Sequence, residues 1–135
     1  MRYILLIYTQ QAPNSAEEME SVKQAHWEVI EETTRKGILL GCEPLAPTQT
    51  ATTVRVQDGT VLTTDGPFAE TKEQLAGYYI LDCKDLDEAL GYAARIPSAC
   101  GGKPGCIEVR ALPGLPRREA VSEQAEQKSE AVLAQ

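Results

Sequence analysis

Asp65-Gly66-Pro67-Phe68-Ala69-Glu70-Thr71-Lys72-Glu73-Gln74-Leu75, running on into Ala76-Gly77-Tyr78-Tyr79-Ile80-Leu81, is the stretch around which the chain is organised. Asp65 can turn its carboxylate onto nearby backbone N–H groups, and Gly66 admits dihedrals that a side chain forbids. Pro67 fixes its own φ and pushes Gly66 away from the helical region. A specific bend follows. The composition of Ala69 to Gln74 then suits about one helical turn, with Glu70, Thr71, Lys72 and Glu73 toward water, before an extended run resumes at Ala76. Phe68 is the one phenylalanine of the chain, and its apolar ring in a polar loop is expected to plug the loop into the core.

Upstream, Val54-Arg55-Val56-Gln57 and Thr60-Val61-Leu62-Thr63 flank Asp58-Gly59, a strong signal for a type I′ hairpin. That hairpin delivers the chain into the Asp65 bend. Tyr3 to Tyr8 is apolar on both alternating faces and reads as a central strand. Ser15 with Glu18 has the capping-box pattern, and Met19, Val22, Val29, Ile30 and Thr33 recur at helical spacing up to Gly37, which follows the basic pair Arg35-Lys36. Ile38 to Cys42 opens a second strand that ends near Pro44 to Pro47.

Downstream, Gly77 to Cys83 is again apolar on both faces. Asp85 and Glu88 cap a helix over Leu86 to Arg95 that Pro97 is expected to stop, and Cys106 to Leu112 alternates as a last strand. The order β-α-β-(β-hairpin)-β-α-β predicts an α+β domain of ferredoxin-like type over residues 1–112. Residues 113–135 form a polar tail rich in Glu, Gln, Ala and Ser.

A chain of 135 residues fits one hydrophobic core. Its net charge of −7 repels phosphate backbones, which argues against direct nucleic-acid binding. The first strand begins too early for a signal peptide, and no apolar run nears the roughly 20 residues a spanning helix needs, so a cytoplasmic location is expected. Cys42, Cys83, Cys100 and Cys106 form no C-x-x-C pair, and His26 is the single histidine, so no metal site is expected. Cys42 and Cys83 read as small apolar core residues. Cys100 and Cys106 flank a glycine-containing loop and would pair only under oxidation. No phosphate-binding glycine motif or serine-nucleophile motif occurs, and no cofactor is expected.

The run Asp65 to Leu75, with Gly77-Tyr78-Tyr79 and Asp85-Leu86-Asp87-Glu88-Ala89, resembles the signature of the YCII-related proteins of the DGPF subgroup. The resemblance extends from Tyr3-Ile4-Leu5-Leu6-Ile7-Tyr8 to Ile107-Glu108-Val109-Arg110. It implies a bacterial protein with a ferredoxin-like fold of the dimeric α+β barrel type, often encoded beside sigma factors of the extracytoplasmic-function type. It implies no particular activity. In the wider family a histidine in this part of the first helix is paired with an aspartate just before a proline after the second helix. Here His26 fits the first position, but Ile96 precedes Pro97.

Two readings of His26 stand: a core histidine satisfied by one hydrogen bond, or an acid/base with Asp65 as its partner. Gly66, Pro67, Phe68, Glu70 and Lys72 are candidate ligand-binding residues, against the alternative of a solvated turn. Two function classes remain open. One is a dimeric small-ligand-binding or regulatory protein, acting with a sigma factor. The other is a cofactor-free lyase or isomerase on a small, partly apolar substrate. Two helices cover only one face of such a sheet, so the second apolar face predicts a homodimer packed through it.

Overall fold

The structure, a computed structural model, describes residues 1–10, 15–100 and 104–115, so the expected tail lies almost wholly outside the described residues. Strand β1 (Arg2–Thr9) leads to helix α1 (Ala16–Arg35) and strand β2 (Leu39–Pro44). A single 3-10 turn at Thr48–Thr50 precedes the hairpin of β3 (Thr52–Gln57) and β4 (Thr60–Asp65). Strand β5 (Gln74–Asp82), helices α2 (Leu86–Ala93) and α3 (Pro97–Cys100), and strand β6 (Gly105–Leu112) complete the order.

The caps are those the sequence specifies. Ser15 Oγ accepts from the Glu18 amide at 3.1 Å, and Asp85 Oδ1 accepts from the Glu88 amide at 2.9 Å. Gly37, at φ +73°, closes α1 in a Schellman motif, with Ile38 N–H donating to Thr33 O and Gly37 N–H to Thr34 O. Asp58 and Gly59 both take positive φ, as a type I′ turn requires.

The four-stranded sheet has the order β2-β5-β1-β6 with every neighbouring pair antiparallel, which is the ferredoxin-like arrangement of two interleaved βαβ units. The β3–β4 hairpin forms a separate two-stranded sheet and leaves Val54, Val56 and Val61 exposed. Tyr3, Leu5 and Ile7 of β1 stand on the same face as Tyr79 and Leu81 of β5. With Val29 of α1, Ala89, Tyr92 and Ala93 of α2, and Ile96, they make the core. Both helices therefore cover this face. On the opposite face Ile4, Leu6, Tyr8, Leu75, Tyr78 and Ile80 are only half-buried.

Three expectations are corrected. Residues 69–73 contain no helical turn, because Thr71 Oγ1 donates to Glu73 O at 2.6 Å in a local turn and Gln74 already belongs to β5. Phe68 is not a plug: it is 79% exposed. Backbone and side-chain bonds fasten the loop at both ends instead. Gly66 N–H donates to Ala51 O, Thr53 Oγ1 to Gly66 O, and Thr48 Oγ1 to Gln74 Oε1. Pro97 does not stop α2, which ends at Ala93; it opens α3, where its missing N–H costs nothing. Within α1, Met19 lies on the exposed overhang, and burial is confined to the second half at Val29 and Thr33.

Candidate functional site

His26 lies in the middle of α1, one turn before the buried Val29, and its ring sits over Tyr79 of β5. The ring planes are 16° apart with centroids separated by 5.9 Å. His26 Nδ1 and Tyr79 Oη are 2.6 Å apart, a short hydrogen bond. Cys42 of β2 stands directly across from Tyr79 in the β2–β5 ladder, which sets its thiol beside the same phenol. Three elements thus bring one imidazole, one phenol and one thiol into contact beneath the helix.

Burial governs the electrostatics. It pushes the His26 pKa down, so the imidazole is neutral at neutral pH, and no carboxylate opposes that shift. Tyr79 is pushed up, first by burial and then by Cys42. Burial also raises the Cys42 thiol, although the neighbouring Tyr79 hydroxyl works against it. All three groups are therefore uncharged near pH 7. The second ring nitrogen, Nε2, has no protein partner among the described residues, yet no buried side-chain nitrogen or oxygen is left unsatisfied. Nε2 is consequently reached by solvent.

The structure does not bring Asp65 to His26. Asp65 ends β4, paired with Thr52 and exposed, and the hydrogen bond of His26 goes to Tyr79 instead. Gly66 and Pro67 are half-buried, whereas Phe68, Glu70 and Lys72 are exposed, and none of the five hydrogen-bonds the imidazole. Ile96 is fully buried in the core and has no polar group to orient a ring.

Tyr79 and Cys42 were missed from sequence because Tyr79 is 53 positions from His26 and reads as core. The one available signal was the alternation that puts Tyr79 on the face of β5 opposite to Tyr78. Cys83 is the buried thiol of the pair first read as core residues, with its pKa pushed up to about 11, chiefly by burial. Cys106 is a free, exposed thiol whose Sγ lies 3.7 Å from Glu73 Oε2; the Cys100 side chain lies outside the described residues.

A second polar cluster lines an open groove between α1 and α2. Glu32 pairs with Arg95 and, more loosely, with Lys36, while Lys36 Nζ donates to Tyr92 Oη at 3.3 Å. Both cations lie under 6 Å from the Tyr92 ring centroid, at 5.9 and 5.8 Å. The Arg95 guanidinium holds the Glu32 carboxyl below its ordinary range. These charges satisfy one another and clamp the two helices together. Among the described residues no three metal-ligating side chains meet, and no helix is long and apolar enough to cross a membrane.

The sheet order and the helices on one face define an α+β protein of ferredoxin-like topology. The chain belongs to the YCII-related family, whose domain model matches residues 1–113. It is similar to the uncharacterized protein R00369 of Rhizobium meliloti (strain 1021), with 41% identity over 115 residues, covering 83% of this chain and 92% of that protein. Among solved structures, 5-chloro-2-hydroxyhydroquinone dehydrochlorinase from Burkholderia phenoliruptrix AC1100, in complex with 2,5-dihydroxybenzoquinone, matches at 18% identity. Its TM-score is 0.45, with 83% of this chain and 95% of that chain covered.

Proposed function

We propose that this YCII-related protein is a cytoplasmic, dimeric small-ligand-binding protein of regulatory role, working with a sigma factor of the extracytoplasmic-function type, and that His26 is its ligand-contacting residue. The observation that carries the reading is the division of the imidazole: Nδ1 is bound inward by Tyr79 while Nε2 opens to solvent with no protein partner among the described residues. A general base needs a group that stabilises the imidazolium once the proton has been taken, and a carboxylate does this best. Tyr79 offers a neutral phenol, and Ile96 offers no polar group. An uncharged site of this kind holds a ligand better than it moves a proton. The sigma-factor association is supported by the run Asp65 to Leu75 that resembles the DGPF signature.

The dimer is supported by the outer face of the sheet. Ile4, Leu6, Tyr8, Leu75, Tyr78 and Ile80 form an apolar surface with no helix over it among the described residues, and a second sheet of the same kind would cover it. Light scattering at micromolar concentration is expected to give twice the chain mass, and Ile4→Glu to give monomer; a wild-type monomer counts against this part.

The ligand reading is tested by titrating the 15N-labelled protein with acetophenone, indole and benzoate. The backbone amide resonances and the fate of each compound are followed together. Saturable shifts that vanish in His26→Gln, with the compounds unchanged, are the expected result. No shift with any of the three would sink the binding reading, and conversion of an added compound would favour the cofactor-free lyase or isomerase.

A further inference from the structure

The β3–β4 hairpin stands apart from the four-stranded sheet. Its two strands pair with each other alone, and apart from Thr53 every residue in them is exposed. A two-stranded hairpin without packing is marginally stable at best in water. Residues directly opposite each other in an antiparallel pair share a face, so the register puts Val54, Val56 and Val61 together on one side, with Thr52, Thr63 and Asp65. The three valines are 60%, 65% and 64% exposed. The chain has thus built an apolar face on a projecting element and, among the described residues, left it uncovered.

Three observations point to a second copy of this chain as the cover. The first is area. A stable interface takes roughly 800 Å² from each partner, of which about 500 Å² is apolar at the composition of homodimer interfaces. Ile4, Leu6, Tyr8, Leu75, Tyr78 and Ile80 on the outer sheet face are half-buried, and between them they expose only on the order of 300 Å². The valine face adds on the order of 300 Å² more, which closes the shortfall. The second is continuity. The hairpin leaves the body at the end of the β2–β5 pair where Leu45 N–H donates to Ala76 O, next to Leu75 of the outer face, and the bond from Thr53 Oγ1 to Gly66 O fastens its foot. The third is charge. A net charge of −7 opposes self-association, so two copies must meet where charge is sparse. Helix α1 carries Glu17, Glu18, Glu20, Glu28, Glu31 and Glu32, whereas the valine face carries Asp65 alone, at its foot. Residues 116–135 are a poorer match for that face, with Val121, Val132 and Leu133 as their sizeable apolar side chains in a polar segment.

We propose that the β3–β4 hairpin is a dimerisation arm, which lays Val54, Val56 and Val61 on a second copy of this chain and widens the contact made by the outer sheet face. The inference rests on the reading of the protein as a dimer through that face and adds the second contact region such a dimer needs. A two-fold axis uses each arm once on either side, so every valine counts twice. Docking also gives the hairpin the packing it lacks alone: the arm is held in the dimer and frays in the monomer.

Two measurements on the full-length protein over a dilution series test this. Sedimentation reads the dimer dissociation constant of the wild type and of the combined variant Val54→Thr, Val56→Thr and Val61→Thr. Threonine keeps the β-branch and suits an exposed strand, so the hairpin itself is preserved. The variant is expected to dimerise at least about tenfold more weakly. Hydrogen exchange of the amides of residues 52–65 is expected to slow as the wild type passes from monomer to dimer. A variant that dimerises like the wild type, or hairpin amides that exchange equally fast in monomer and dimer, overturns the arm, leaves the sheet-face dimer standing and points to a different protein as the cover. Full protection already present in the monomer overturns it in favour of residues 116–135. A wild type that is monomeric at every concentration removes the dimer reading and the arm with it. If the variant fails to fold, the concentration dependence of exchange in the wild type decides the same point.

Discussion

Ile96→Asp places a carboxylate immediately before Pro97, where the family resemblance leads one to expect an aspartate, and asks whether this position faces the imidazole or the core. Ile96 is fully buried in the cluster that holds Leu5, Val29, Ala89 and Tyr92. Removing a fully buried aliphatic side chain forfeits roughly 1.5–3 kcal/mol of transfer free energy. Leaving a polar group there without a partner costs about 1–3 kcal/mol more. The expected loss is about 3–5 kcal/mol, a large share of the roughly 5–15 kcal/mol that holds a domain together. In a urea titration this moves the midpoint down by on the order of 2 M. Burial raises the pKa of the new carboxyl in the folded state, so the folded protein binds its proton more readily than the unfolded chain does. The loss should therefore be largest at neutral pH and shrink as the pH falls toward 4. A variant as stable as the wild type, with the His26 pKa raised by a nearby carboxylate, would refute the placement of Ile96 in the core and revive the histidine–aspartate pair.

Gly77→Ala should destabilise by about 1–3 kcal/mol in urea titration, because the added methyl would meet Glu43 O at 2.9 Å and Pro44 Cα at 3.3 Å and push β2 off β5. Gly91→Ala, in α2 with nothing within 4 Å of the new methyl, should instead gain about 0.5–1 kcal/mol; a loss there would show that α2 packs more tightly than described. Because burial depresses the folded-state pKa of His26, the unfolded chain protonates first as the pH drops below 6.5. Stability should then fall with pH down to the folded-state pKa, and His26→Gln should flatten that part of the profile, read as unfolding midpoints between pH 7 and 5. Phe68→Ala should change stability by no more than about 0.5 kcal/mol, since the ring is exposed; a larger loss would restore it as an anchor.

What the sequence alone determined is local. Ser15 and Asp85 cap helices because their side chains reach amides three residues on, and Asp58-Gly59 makes a hairpin because both residues tolerate positive φ. Alternation along β1 and β5 gave two apolar faces, and the element order left the ferredoxin-like sheet as the arrangement that buries one of them under helices. Each of these needs information only from neighbours a few positions away. The Asp65 bend was legible for the same reason, down to the positive φ of Gly66.

The partner of His26 was not legible, and neither was the fate of Phe68. The helical spacing of its apolar residues says which face of α1 turns inward, but which group His26 meets depends on how α1 crosses the sheet and on the register of β5 against β2. That register sets Cys42 opposite Tyr79 and brings a phenol, not Asp65, to the ring. Phe68 carried every local mark of an anchor, yet hydrogen bonds from Gly66, Thr53 and Thr48 already hold both ends of its loop, and the ring is left in solvent. Local preference sets where a chain turns; the direction a side chain faces afterwards is decided by contacts between residues tens of positions apart, which only the folded packing brings together.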